Sequence, residues 1–370
     1  DDLRRTIDEL TALLENDGAL RSLVSDELGE AAKTFGTPRR TVLLESSGAS
    51  TVSAPISLEV SDDPCWVLLS TTGLIARTSD QSALAEGSSR GLHDTVSSFV
   101  PATARGQIGV VDSNGLVHRI DVIDLPSLPP TAEAPRLGGG IHLKDLVPEL
   151  ATPLALVSLD DEELTIALGT REGVVKRVKN ESVNKDSWHI IRLNDGDAVV
   201  GAQQLTGDDE ELVFVTSDAQ LLRFSAQLVR PQGRDGQGIA GIKLSKDAKA
   251  IAFGSTRTPD NAYVATVAGS SQALNVGIGG TAKVSPLAIY PAKGRATGGV
   301  RCHRFLSGED ALTLAWVGDG SPRAASDAGS PIDLPEVVEK RDGSGVPTSA
   351  VVHGISGSPV TEIPADSMPE

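Results

Sequence analysis

A chain of 370 residues with 39% hydrophobic but only 3% aromatic residues can bury several small cores, which excludes a disordered chain and disfavours one thick core. Two cysteines, Cys65 and Cys302, exclude a disulfide framework or paired-cysteine zinc site, and no run of eighteen apolar residues suggests a membrane helix. The formal charge of -17 argues against a nucleic-acid binder on average, yet from Ser217 to Phe305 twelve Lys or Arg stand against four Asp or Glu, so positive charge is clustered.

The chain opens Asp1-Asp2-Leu3 without a Met or a basic and apolar leader, which reads as a fragment beginning mid-protein in a reducing cytoplasm. Leu3, Ile7, Leu10 and Leu14, then Leu20, Leu23, Val24, Leu28 and Ala31, fall at helical spacing on either side of Asn16-Asp17-Gly18. Two short amphipathic helices are expected over 1–36, their apolar stripes covered by a missing part of the protein or a partner. Phe35-Gly36-Thr37-Pro38 stops the helix, and 37–45 is expected to be a linker.

Beyond Arg39 the period becomes two and a hairpin with a basic end recurs. It runs Thr71-Thr72-Gly73-Leu74-Ile75-Ala76-Arg77, Ser113-Asn114-Gly115-Leu116-Val117-His118-Arg119, Thr170-Arg171-Glu172-Gly173-Val174-Val175-Lys176-Arg177 and Ser217-Asp218-Ala219-Gln220-Leu221-Leu222-Arg223. Gly269-Ser270-Ser271-Gln272-Ala273-Leu274-Asn275 and Gly318-Asp319-Gly320-Ser321 look like degenerate fifth and sixth copies, giving offsets of 42, 58, 46, 52 and 49 residues. Short-strand repeats of this period indicate a propeller-like array, here six modules over 46–360, mainly β, with a frayed tail over 361–370. Between the hairpins, Arg136–Gly140, Arg230–Lys243 and Lys293–Arg301 are rich in glycine and read as loops.

Motifs for catalysis are weak. Gly236-Gln237-Gly238-Ile239-Ala240-Gly241 fits a dinucleotide fingerprint in spacing only, since no strand-turn-helix context surrounds it. Asp160-Asp161-Glu162-Glu163 and Asp208-Asp209-Glu210-Glu211 each precede an apolar strand and read as solvated turns rather than metal sites. The six histidines have no nearby nucleophile in sequence, Tyr263 and Tyr290 lie inside repeats, and Trp66, Trp188 and Trp316 read as core anchors.

The helix around Val24, Asp26, Glu27 and Leu28, followed by Phe35-Gly36-Thr37-Pro38-Arg39-Arg40-Thr41, resembles the coiled-coil exit of the A subunit of bacterial type IIA DNA topoisomerases, the family of DNA gyrase and topoisomerase IV. Val67–Arg77 resembles that family's first blade, and Gly115–Arg119 through Val122-Ile123-Asp124-Leu125-Pro126 its second. The resemblance implies a six-bladed β-pinwheel that binds and bends duplex DNA without base specificity, in the bacterial cytoplasm at the nucleoid. It also implies that cleavage chemistry lies in the missing N-terminal part of the protein, that ATP and Mg are bound mainly by a B subunit, and that the fragment itself carries no cofactor. Where gyrase has a basic Gly-rich box in the first blade, Ala85-Glu86-Gly87-Ser88-Ser89-Arg90-Gly91 keeps only Arg90 and Gly91, which makes topoisomerase IV the better analogy.

The expected DNA contacts follow. Arg77, Arg119, Arg177 and Arg223 hold equivalent places in successive modules and should line the perimeter, with Lys176 and Arg90 beside them. Arg230, Arg234, Lys243, Lys293, Arg295, Arg301 and Arg304 lie among glycines that let a phosphate approach the backbone. The rival reading is an acidic propeller-like scaffold that binds proteins.

Overall fold

The computed structural model describes residues 2–35, 61–84, 89–131, 133–181, 183–271 and 280–359. Residues 1–57 and 58–370 form two separate compact units. In the first, helices span Asp2–Glu15 and Asp17–Phe35, as the apolar spacing indicates. The Asn16 side chain caps the second helix by accepting from the Gly18 N–H at 3.0 Å. Leu3, Ile7, Leu10, Leu14 and Leu28 are exposed. The linker expected at 37–45 and the tail at 361–370 lie outside the described residues. Neither helix is long and apolar enough to cross a membrane.

The second unit is a ring of six antiparallel blades. Each is built on a hairpin, and the turns take a positive φ at Gly73, Gly115, Gly173 and Gly329, and at Ala219 in the fourth blade. The hairpins are Pro64–Ser70 with Leu74–Arg77, Gln107–Asp112 with Leu116–Asp121, and Thr165–Thr170 with Val174–Lys179. Glu211–Thr216 with Gln220–Ser225, Ala262–Gly269 with Thr281–Pro286, and Pro322–Ala325 with Pro331–Ile332 complete the six. The sixth turn is therefore Ser326–Ser330, and not Gly318–Ser321, which leads from the fifth blade into the sixth. Short strands opening at Pro322 and Pro331 hide the period there, because proline removes a ladder donor. The fifth turn begins at Gly269, as expected, and most of it (272–279) lies outside the described residues.

After each hairpin but the first the chain does not go straight to its own inner strand. It first crosses to the preceding blade and lays an outer strand there. Ile141–His142 follows the second hairpin but pairs with Leu74–Arg77 of the first, Ser187–His189 pairs back onto the second, and Val300–Arg301 onto the fourth. The segment 231–240 does the same for the third blade and Val346–Pro347 for the fifth. The Gly-rich segments read as loops thus carry these short edge strands, because flanking glycines let the backbone reach the neighbour closely.

One hydrogen bond marks every exchange. The N–H groups of Leu143, Ile190, Ile242, Cys302 and Thr348 donate to the turn carbonyls of Gly73, Gly115, Gly173, Ala219 and Gly280, at 2.8–3.1 Å. The sixth bond runs from His93 of the first module to Gly329 of the last, at 2.9 Å, and closes the circle.

The inner strands, Val96–Thr103, Pro153–Ser158, Val199–Leu205, Ala250–Thr256, Ala311–Asp319 and Gly354–Gly357, touch in succession around the ring, and the last touches the first. Glycine permits that approach. A Cβ on Gly201 would lie 2.1 Å from the Phe253 carbonyl oxygen. Each of five core clusters combines two successive blades, for example Val67 and Leu69 with Val110 and Leu156. The cores are between blades, so both faces of a central blade strand are covered.

Candidate nucleic-acid interface

Strand exchange decides where the repeated basic residues point. The position four residues after the turn runs beside the incoming connector of the next module: Arg77 with Ser127, Arg177 with Pro231 and Arg223 with Ala292, each in parallel. The Arg177 guanidinium turns onto that connector, while the Arg223 guanidinium turns back to Glu211 of its own hairpin.

Arg177 is 3% exposed; its Nη1 donates to the carbonyls of Ala226 and Val229 at 3.1 and 3.4 Å, and its Nη2 to Thr165 and Asp208. Arg119 donates to the carbonyls of Val183 and Lys185 and lies over the Trp188 ring at 5.6 Å. Arg223 pairs with Glu211 at 3.3 Å, and Arg77 has a buried Nε. Lys176 is wholly buried and donates to the carbonyls of Ile190, Arg234 and Gly236 at 2.7, 2.8 and 2.9 Å. Burial pushes its pKa down to about 8, against the pull of Asp235.

The expectation that these residues line the perimeter is corrected for Lys176 and Arg177, which are buried and hydrogen-bonded to protein acceptors; Arg77, Arg119 and Arg223 are half-buried. Arg90 is also committed: it binds Asp94 at 2.7 Å and the Ala324 carbonyl at 2.9 Å, across the seam between the last and first blades. The Asp94 carboxyl is 1% exposed, and the Arg90 and Gly91 donors outweigh its burial and hold its pKa below the usual range. Ala85–Ser88, the departing part of the box, lie outside the described residues.

The glycine-associated set behaves differently. Arg230, Lys243, Lys293, Arg301 and Arg304 are exposed, and Arg234 and Arg295 partly so. All sit on the exchange segments that edge the third and fourth blades. These two edges are neighbours, because Lys243 N–H donates to Thr297 at 3.0 Å and the Arg295 guanidinium donates to the Leu228 and Ala240 carbonyls at 3.3 and 2.9 Å. The segment 229–243 carries three cations against one acid, and 291–304 carries four against none. By contrast 126–145 and 181–192 each carry two against two, and 333–348 carries two against four. Exposed Arg192 joins the cluster, with its N–H on the Gly236 carbonyl at 3.2 Å. Sequence reasoning misses it because nothing in the sequence signals that residue 192 follows an exchanged strand.

Other sequence readings sort likewise. Asp160–Glu163 is a solvated turn, but Asp208–Glu211 is not: Glu210 is buried, accepting from Ser255 at 2.7 Å, while Asp208 and Glu211 hold arginines. Trp188 is a core residue, and the Tyr290 hydroxyl is buried against Ser285 at 2.8 Å. Among the described residues no three His, Cys, Asp or Glu side chains form a metal-sized group.

His303 lies just inside the fourth edge, buried between Thr266, 2.8 Å from its Nδ1, and the Gly345 N–H, which donates to Nε2 at 3.2 Å. Accepting at Nε2 requires the neutral ring with its proton on Nδ1. Burial, reinforced by the Lys283 charge, pushes its pKa down to about 4. The unfolded chain therefore takes up this proton first as pH falls below about 6.5, and stability is lost through the window from 6.5 to 4. Urea unfolding at pH 7 and 4.5 is expected to show His303→Phe losing about 2 kcal/mol less than the parent over that interval. Equal losses in the two proteins would contradict the assignment.

A model of the family described as "DNA gyrase C-terminal domain, beta-propeller" matches residues 165–206 and 210–257, the third and fourth modules up to their inner strands. The A subunit of DNA gyrase from Mycobacterium bovis is 28% identical over 312 residues, covering 80% of this chain and 34% of that protein. Its counterpart from Staphylococcus epidermidis is 24% identical over 311 residues, covering 81% and 33%. The chain thus spans about a third of the length of these relatives. Among solved structures, the C-terminal domain of DNA topoisomerase IV superposes with a TM-score of 0.61 at 16% identity, covering 80% of this chain and 94% of that one. The DNA gyrase A C-terminal domain gives 0.52 at 16%, covering 79% and 99%. The resemblance drawn from the hairpin repeats and the six-bladed β fold are both borne out.

Proposed function

From its likeness to the C-terminal region of type IIA topoisomerase A subunits, we propose that this chain is a non-catalytic module that binds duplex DNA through the backbone. The observation that carries this reading is the placement of Arg230, Arg234, Lys243, Lys293, Arg295, Arg301 and Arg304 on two adjoining blade edges, where they stand against the single acid Asp235, unlike the acidic fifth edge. Such a cluster releases counterions on meeting phosphates and contacts no base edge, so binding is strong at low salt and indifferent to sequence.

The arc of contact is short. Two positive edges followed by an acidic one hold and bend a duplex locally, and the neutralised Arg90 adds no free charge at the seam. Orientation of a segment for strand passage, as in the topoisomerase IV analogy, suits this better than wrapping around the whole ring. The remainder of the protein would supply cleavage, and a B subunit would bind ATP and Mg, in the bacterial cytoplasm.

The test is binding of a duplex long enough to wrap, titrated with salt, with linking number read after nick ligation. Steep salt dependence without a linking-number change is expected. Absence of binding at low salt would leave the acidic protein-scaffold reading in its place.

A further inference from the structure

The buried lysine of the third blade has no ordinary reason to be charged. Among the described residues it forms no ion pair, and burial opposes its protonation. What it does is hold main chain. Its ammonium binds the Ile190 carbonyl, at the exit of one exchange segment, and the Arg234 and Gly236 carbonyls within the next. Lys283, at the equivalent position of the fifth blade, does the same with the carbonyls of Cys302 at 2.7 Å and Arg341 at 2.6 Å. Two modules thus use a buried cation to clamp exchanged connectors.

In the third blade the clamped stretch carries part of the positive edge. Its peptide bonds are trans, so a carbonyl turned inward places the N–H of the same peptide outward. Fixing the Arg234 and Gly236 carbonyls on Lys176 therefore aims the N–H groups of Asp235 and Gln237 at solvent. Both residues are exposed, and neither N–H has an acceptor among the described residues. Gly233 and Gly236, with no side chains, leave those donors open to an anion. Arg234 and Arg192 flank the same stretch, opposed by Asp235 and by Glu181, whose half-exposed carboxylate pairs with Arg234 at 3.4 Å and would have to yield it to the phosphate.

We propose that Lys176 is a positioning residue for phosphodiester binding on the third blade's edge: by clamping the carbonyls of Arg234 and Gly236 it presents the Asp235 and Gln237 N–H groups, with Arg234, to one phosphate of a DNA backbone. This rests on the DNA-binding reading above. Lys176 itself never touches the ligand.

The experiment uses the whole chain and a duplex oligonucleotide, with binding read by fluorescence anisotropy across salt. Lys176→Met keeps the volume and removes the donors. It is expected to weaken binding roughly tenfold and to lower the salt slope by about one, the contribution of one cation. In the Lys176→Met background Arg234→Ala should then cost little more, whereas in the parent it should cost nearly as much as Lys176→Met alone. Val157→Ala, in the core between the second and third blades, loosens packing and should leave DNA binding at the parental value.

Parental affinity and slope in Lys176→Met, additive effects of the two substitutions, or an equal loss in Val157→Ala would each overturn the proposal. Should Lys176→Met fail to fold, hydrogen exchange in the unmodified protein decides: DNA must protect the Asp235 and Gln237 amides, and their indifference to DNA refutes the assignment. Failure of the parent to bind DNA at all would instead remove the underlying reading, and this inference with it.

Discussion

Replacing Arg230, Lys243, Lys293 and Arg301 together by alanine should lower duplex affinity by about a thousandfold at roughly 0.1 M salt while leaving the fold intact. Each is exposed on the third or fourth blade edge, and among the described residues none takes part in a salt bridge. Each phosphate contact contributes about 0.9 to the slope of log affinity against log salt, so four lost contacts remove roughly 3.6 from it. The change in slope is the diagnostic, because unfolding would abolish binding without a graded salt response. Neutralising Lys340 and Arg341 on the fifth edge offers the comparison. That edge has four acids against its two cations, so the pair should change affinity by less than about threefold. A fifth edge as costly to neutralise as the third and fourth would mean that DNA follows the full circumference, and the short-arc reading would fail.

The two sets of basic residues are equally visible in the sequence, but the pattern reveals the direction of only one. The repeat does place Arg77, Arg119, Arg177 and Arg223 at equivalent points. A two-residue period, however, implies one solvated face, and a central blade strand here has none: neighbouring blades cover both sides. Lys176 and Arg177 are adjacent and should face opposite ways, yet both are buried, which no alternation pattern can express. The exchanged outer strand is equally hidden. Ser187–His189 and Val300–Arg301 are three and two residues long, too short to show a period, and their partners belong to the preceding module. The glycine-associated cations are legible because glycine marks a close backbone approach whatever its partner. The sixth hairpin is easily misplaced because Gly318–Ser321 has turn chemistry, while the true turn at Ser326–Ser330 follows a strand of only four residues.

The reassignment of the repeated arginines has a consequence for stability that a perimeter role would not have. Arg177→Ala is expected to lower the unfolding free energy by about 3 kcal/mol. The substitution strips donors from the Val229 carbonyl and from Thr165, while the Ala226 carbonyl keeps the Val229 N–H at 3.0 Å, and each buried acceptor left unmade costs about 1–3 kcal/mol. A void where the side chain was 3% exposed adds to this. Relief of the guanidinium's own desolvation works the other way, and Asp208, itself largely exposed, returns to water at little cost. The balance remains a loss, since the third blade and the fourth module's connector are joined here by one side chain. A urea titration read by Trp fluorescence measures it, with the midpoint shifted and the slope retained. An unchanged midpoint would mean that Arg177 is solvated, as the sequence pattern suggests, and that the connectors are held by their backbone pairing alone.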